Sequence, residues 1–225
     1  MSPENIEKRN LPASAMGSER SVTIIRYGRE SQYPKAYIQS GLHADEAPGY
    51  LVMHHLMGLL DKADVGEEIL GQIILVPVAN PIGAAQWHDE VMRGRFDDFA
   101  NINFNRNHMD LTAEVADKIE GRLTDSEENN KMLIRQAMAE VLAGMTPNNE
   151  SAQLKHLLLS LSFDADIVLD LHCDYQAITH VYVGSPLWPN AADLSAQMGS
   201  QATLLAKVSG GRGLAGHSWR TSKSL

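Results

Sequence analysis

His43 and Glu46 stand three residues apart in the segment GLHADEAPG (41–49), between a β-rich run and an amphipathic one. One tight turn at the start of a helix can aim both side chains at a single point. Zinc accepts imidazole nitrogen and carboxylate oxygen, and a catalytic zinc takes three protein ligands and leaves a fourth position for water. The pair alone also permits a plainer reading, in which Asp45 or Glu46 complements the positive end of the following helix. A further imidazole, His172, lies in IVLDLHCD, at the end of a run that reads as a buried strand. Alternation puts Val168, Asp170 and His172 on one side of that strand and Leu169, Leu171 and Cys173 on the other. His172 is then either a buried histidine paired with Asp170 or a distant third metal ligand. Cys173 faces away and reads as small core filler rather than as a nucleophile.

A second kind of chemistry sits in RGRFDDFANINFNRNHMD (93–110). Arg95, Asn105 and Arg106 offer cationic or amide donors suited to a carboxylate, or to an oxyanion forming on a scissile carbonyl. A solvated loop also carries arginines, so position decides between the two readings.

The elements that must position these residues follow from periodicity. SVTIIRYG (21–28), AYIQSG (36–41), QIILVPVA (72–79), ADIVLDLHCD (165–174) and HVYVGS (180–185) read as strands. Val52, Leu56, Leu59 and Leu60 predict one face of an amphipathic helix. Ile134, Met138, Val141 and Leu142 predict a second, and Leu154, Leu157, Leu158 and Leu161 a third. A last helix is expected after Pro189, with Leu194, Met198, Ala202 and Leu205 on one face. Residues 1–20 read as a polar lead-in, and residues 80–110 as a long loop of the kind that carries function. Interleaved strands and helices predict an α/β fold with a parallel or mixed sheet, in which ligands gather at the carboxyl ends of strands. His43 with Glu46, Asn80 with its loop, and His172 all fall at such ends.

Composition removes several functions. A formal charge of -9 over 225 residues disfavours sequence-independent nucleic-acid binding, which needs a basic stripe, and an anionic membrane surface. The lone Cys173 excludes an internal disulfide and a cysteine-based zinc cluster. No apolar run approaches a membrane span, and no secretory signal is visible at the start. The expectation is a soluble, cytoplasmic protein.

GLHADE, VPVANPIG, GRFD, NFNRN and DLHCD, in this order and spacing, resemble the succinylglutamate desuccinylase/aspartoacylase family of zinc carboxypeptidase-like hydrolases. The resemblance implies a three-layer α/β/α sandwich around a mixed sheet, formed by residues 21–225. It implies one zinc ion held by His43, Glu46 and His172, a substrate carboxylate held by Asn105 and Arg106, and Arg95 (or, less favoured by register, Arg93) polarising the scissile carbonyl. The substrate implied is a small N-acyl amino acid or related carboxylate. The same ligands would serve a metallocarboxypeptidase, or a zinc- or carboxylate-binding relic without activity. The family's general base is a glutamate beyond the third ligand, whereas the last glutamate here is Glu150. The expectation is therefore a catalytic domain lacking its C-terminal part, with no strand after 180–185 to close the sheet.

Overall fold

Apolar side chains alternate along three adjacent strands and so commit the sheet to a layer on each face. The computed structural model describes residues 5–12, 15–174, 176–188 and 190–207. Strands β1 (Ile6–Leu11), β2 (Arg20–Gly28), β3 (Lys35–Ser40), β4 (Gln72–Val76) and β7 (Ile167–Leu171) form one mixed sheet in the order β1-β2-β4-β3-β7. β1 and β4 pair with β2 antiparallel, while β3 runs parallel to both β4 and β7. Val22, Ile24, Tyr37, Ile74 and Val76 face one side and pack with helices α3 (Thr112–Ile119), α4 (Glu127–Gly144) and α5 (Glu150–Ser162). Ile25, Tyr27, Ile38 and Leu75 face the other side and pack on α1 (Pro48–Val65). The result is the three-layer α/β/α arrangement around a mixed sheet that the sequence implied.

Between β4 and α3 the chain forms a short helix α2 (Pro81–Ala84) and a two-strand ribbon of β5 (Trp87–His88) and β6 (Val91–Met92). Side-chain caps start the longer helices: Ser126 accepts the amide of Asn129, and Asn149 that of Ala152. A parallel pair of β8 (His180–Gly184) and β9 (Ala202–Ala206), joined through α6 (Ala192–Gln197), makes a separate small sheet. Among the described residues no helix is long and apolar enough to cross a membrane.

The structure departs from the sequence reading in four places. The polar lead-in contains β1, an edge strand whose residues are largely exposed until Leu11, so pairing with β2 rather than burial holds it. On α1 the buried stripe is Met53 with Leu56, Met57 and Leu60; Val52 and Leu59, expected inside, are 51% and 63% exposed. The long loop gives way to a third helix, α3, whose Val115 and Ile119 are buried. The expected last helix stops after six residues at Gly199, where φ is +67°, and Ala202 and Leu205 lie in β9. A strand therefore does follow 180–184, but it pairs with β8 rather than closing the main sheet.

Candidate metal centre and active site

Ser40 and Leu171 are register partners at the ends of parallel β3 and β7, so the segments that follow leave the sheet side by side. Gly41 turns the first one at φ +67°. A Cβ there would stand 2.3 Å from the Tyr50 ring, and the Tyr50 hydroxyl donates to the Ala44 carbonyl at 2.9 Å. Asn80, fully buried, braces the same turn from the end of β4. Its Nδ2 donates to the Leu42 carbonyl at 2.9 Å and its Oδ1 accepts the Gly83 amide at 2.8 Å, starting α2. Glu46 does not cap α1: the cap position is Ala47, without a side-chain bond.

The two segments bring His43, Glu46 and His172 together, with one ligand atom from each inside a 4.8 Å group. His43 Nδ1 is 2.9 Å from Glu46 Oε1, and His172 Nδ1 is 2.8 Å from Glu46 Oε2. The two rings meet edge to face with centroids 4.9 Å apart. Each outer ring nitrogen has its own acceptor. His43 Nε2 lies 2.9 Å from Asn103 Oδ1, and His172 Nε2 lies 3.0 Å from Asp170 Oδ2. Asp170 is fixed in turn by Gln39 Nε2 at 2.9 Å, and the Gln39 carbonyl oxygen accepts the buried Tyr37 hydroxyl at 2.7 Å. The Cys173 amide donates to Glu46 Oε2 at 2.7 Å. Cys173 is half-buried and its thiol donates to the Asp174 carbonyl, so its backbone serves the site and its side chain is not core filler.

Burial favours a protonated Glu46, but hydrogen bonds from His172, His43 and the Cys173 amide outweigh it and hold the carboxyl well below the usual carboxylate range. Burial likewise opposes a charge on His172, yet the Asp170 and Glu46 carboxylates overcome it and push the imidazole up to about 10. The donor set fits zinc: two imidazoles and a carboxylate converge, while Asn103 and Asp170 occupy the Nε2 atoms and leave Nδ1 of each ring for an ion. Glu46 and the Nδ1 atoms of the two rings are the groups that would hold such an ion. Asp45 is outside this group.

The 93–110 loop is drawn onto the site by Gly94. Its carbonyl accepts the Ala44 amide at 3.0 Å, and a Cβ at Gly94 would lie 2.4 Å from the Asp45 nitrogen. This places Arg95, whose Nη2 donates to Glu46 Oε1 at 2.5 Å. Gln86 ties the loop down through its amide, which donates to the carbonyls of Arg93 and Phe96. Asn105 Nδ2 lies 3.2 Å from His172 Nε2. The exposed Arg106 guanidinium donates to the Asn105 carbonyl at 2.7 Å. Arg93 is exposed and bonds Gln86 through its backbone, so of the two candidate arginines only Arg95 has a described side-chain bond to the ligand set. Sequence reading missed Asn103, Gln39 and the Cys173 amide. Gln39 carried a signal, being a polar residue at an inward position of a doubly covered strand; Asn103 carried none beyond its place in the motif-bearing loop.

The succinylglutamate desuccinylase/aspartoacylase catalytic domain matches residues 32–224 of the chain. No curated protein matches it. A solved structure of a candidate succinylglutamate desuccinylase/aspartoacylase family protein from Shewanella amazonensis SB2B is 26% identical, with a TM-score of 0.79 over 96% of this chain and 58% of its own. One of a candidate succinylglutamate desuccinylase/aspartoacylase from Shewanella frigidimarina NCIMB 400 is 28% identical, with a TM-score of 0.71 over 83% of this chain and 50% of its own. A candidate metallopeptidase from Shewanella amazonensis SB2B shares the fold at 15% identity, with a TM-score of 0.60 over 96% of this chain and 74% of its own. The chain thus spans about half the length of the first two. The catalytic-domain match, carrying the His43, Glu46 and His172 cluster with its bracing loop, places the chain in the succinylglutamate desuccinylase/aspartoacylase family.

Proposed function

We propose that the chain carries the metal and substrate centre of a zinc-dependent hydrolase that cleaves the amide bond of a small N-acyl amino acid or related carboxylate. The observation that carries this reading is the convergence of His43, Glu46 and His172 within 4.8 Å, with Arg95 on Glu46 and Asn105 on His172. Zinc bound there supplies Lewis acidity and a water of lowered pKa. The two Nδ1 atoms and Glu46 would hold the ion, with Asn103 and Asp170 keeping the rings aimed. Arg95, already at the edge of the ligand set, offers its guanidinium to negative charge developing on the scissile carbonyl oxygen. Asn105 and Arg106 hold a carboxylate of the substrate. Of the carboxylates bonded to the ligand set, Glu46 is a ligand and Asp170 orients His172. No glutamate follows Glu150 in the sequence. A positioned general base is worth about 10²–10⁴-fold in rate and has no bearing on zinc binding. The acidic charge and single cysteine support a cytoplasmic setting without nucleic-acid partners.

Metal analysis of the purified chain tests the reading. One equivalent of zinc is expected in wild type, and its loss in His43→Ala and in His172→Ala. No zinc in wild type, or full retention in both variants, would overturn the assignment. Assays of N-acyl amino acids beside short peptides decide the reaction: faster turnover of peptides would replace deacylation with carboxypeptidase activity.

A further inference from the structure

Lys155 sits in the buried stripe of α5, beside Leu154 and Leu158, and is itself only 8% exposed. Among the described residues it forms no ion pair within 4 Å. Its one hydrogen bond among the described residues runs from Nζ to the backbone carbonyl of Arg106, at 2.6 Å. Burial pulls its pKa down, and the charge of Asp97 opposes that. An ammonium buried without an ion-pair partner is costly, and an apolar residue would fill the same stripe without that cost. What it secures is the tip of the 93–110 loop. There the Arg106 amide donates to the Asn103 carbonyl at 3.0 Å, closing a tight turn, and Asn107 follows at φ +55°. The Asn105 side-chain oxygen accepts from the buried His108 Nε2 at 3.3 Å, and its Nδ2 lies 3.2 Å from His172 Nε2. The Asn105 carbonyl accepts from Arg106 Nη1.

We propose that Lys155 is a positioning residue for the carboxylate-binding pair: its ammonium fixes the Arg106 carbonyl from beneath and so sets where the Asn105 amide and the Arg106 guanidinium stand. A second contribution is electrostatic, since a fixed buried cation below this turn draws an anion to the face above it. The proposal rests on the reading of Asn105 and Arg106 as substrate-binding residues. Lys155 touches no reacting atom.

Calorimetric titration of the zinc-loaded chain with succinate tests it. Lys155→Met is expected to raise the Kd for succinate about 10- to 100-fold, with zinc per chain unchanged. Lys155→Arg keeps a cationic donor and is expected to stay within about threefold of wild type. In an Asn105→Ala, Arg106→Ala background the Lys155→Met effect is expected to shrink to about twofold, because both side chains that Lys155 positions are gone while its backbone contact remains. An unchanged Kd in Lys155→Met, or the same fold loss in the Asn105→Ala, Arg106→Ala background, would overturn the positioning role and leave the reading of the site standing. Failure of wild type to bind succinate would overturn the carboxylate reading, and this proposal with it. If Lys155→Met does not fold, Lys155→Gln, which is polar but uncharged, takes its place with the same expected weakening.

Discussion

The two histidines of the centre differ in what holds their outer ring nitrogens. His43 Nε2 faces an amide oxygen, that of Asn103, which also accepts the Asn105 amide at 2.8 Å. His172 Nε2 faces the carboxylate of Asp170, itself backed by Gln39 and Tyr37. A carboxylate behind a ligating imidazole raises its basicity and locks its tautomer. Asp170→Asn is therefore expected to weaken zinc binding by about 10- to 100-fold while leaving the fold intact, as read by competition with a chromophoric chelator. A change below about threefold would mean that His172 is held by packing alone. At this scale much was legible in advance. The residue types and strand-end positions of His43, Glu46 and His172, which the fold brings together, stand in the sequence, and so does Asp170, two residues before His172 on the same strand face. Asn103 was not legible, because its contact with His43 spans 60 positions and depends on how an irregular loop folds back. Gly94 gave a cue only after the fact: its lack of a side chain matters because Asp45 backbone lies where a Cβ would be.

β3 and β4 could be read directly, β4 from a continuous apolar run and β3 from a short β-rich one. The helices were harder to orient. Apolar residues cover much of α1's circumference, so periodicity located the helix but chose a stripe including Val52 and Leu59 rather than Met53 and Met57. Contact with the sheet, absent from any local window, decides which stripe is buried. The energetic consequence is sharp. Met53→Ala is expected to cost about 2–5 kcal/mol through a cavity against Ile25, Tyr27 and Leu75. Leu59→Lys is expected to change stability by no more than about 0.5 kcal/mol. Urea midpoints of the two variants check this, and a large loss for Leu59→Lys would show that α1's outer face is covered. The same limit explains β1 and β9. β1 alternates poorly because it is an edge strand with charged residues, and β9 mimics a helical spacing that Gly199 interrupts.

At the scale of the whole molecule, Asp166 clamps one helical layer to the sheet. Its carboxylate accepts the Lys35 amide at 2.9 Å, Lys131 Nζ at 2.6 Å and Arg135 Nη2 at 2.9 Å, joining the start of β3 to α4 just before β7 begins. Burial would raise its pKa, but these bonds, from Lys131, Lys35 and Arg135, hold it below the ordinary carboxylate value. A depressed folded-state pKa contributes stability that is complete above the unfolded value of about 4 and is lost as pH falls through the lower folded one. Asp166→Asn is thus expected to be less stable than wild type by about 1 kcal/mol at pH 7, after allowance for solvent screening. The gap should close at pH 2–3, and denaturation curves that stay equally far apart at both pH values would refute it. The Glu46–His172 contact has a different reach. It joins residues 126 apart, a span that holds β4, α2 and all of α3 to α5, and it does so on the end strand of the sheet order. An ion held there is a buckle on a loop of more than half the chain. Opening it would release the segment that follows β7, which itself stays paired with β3, while the turn at Gly41, braced by Tyr50 and Asn80, stayed shut.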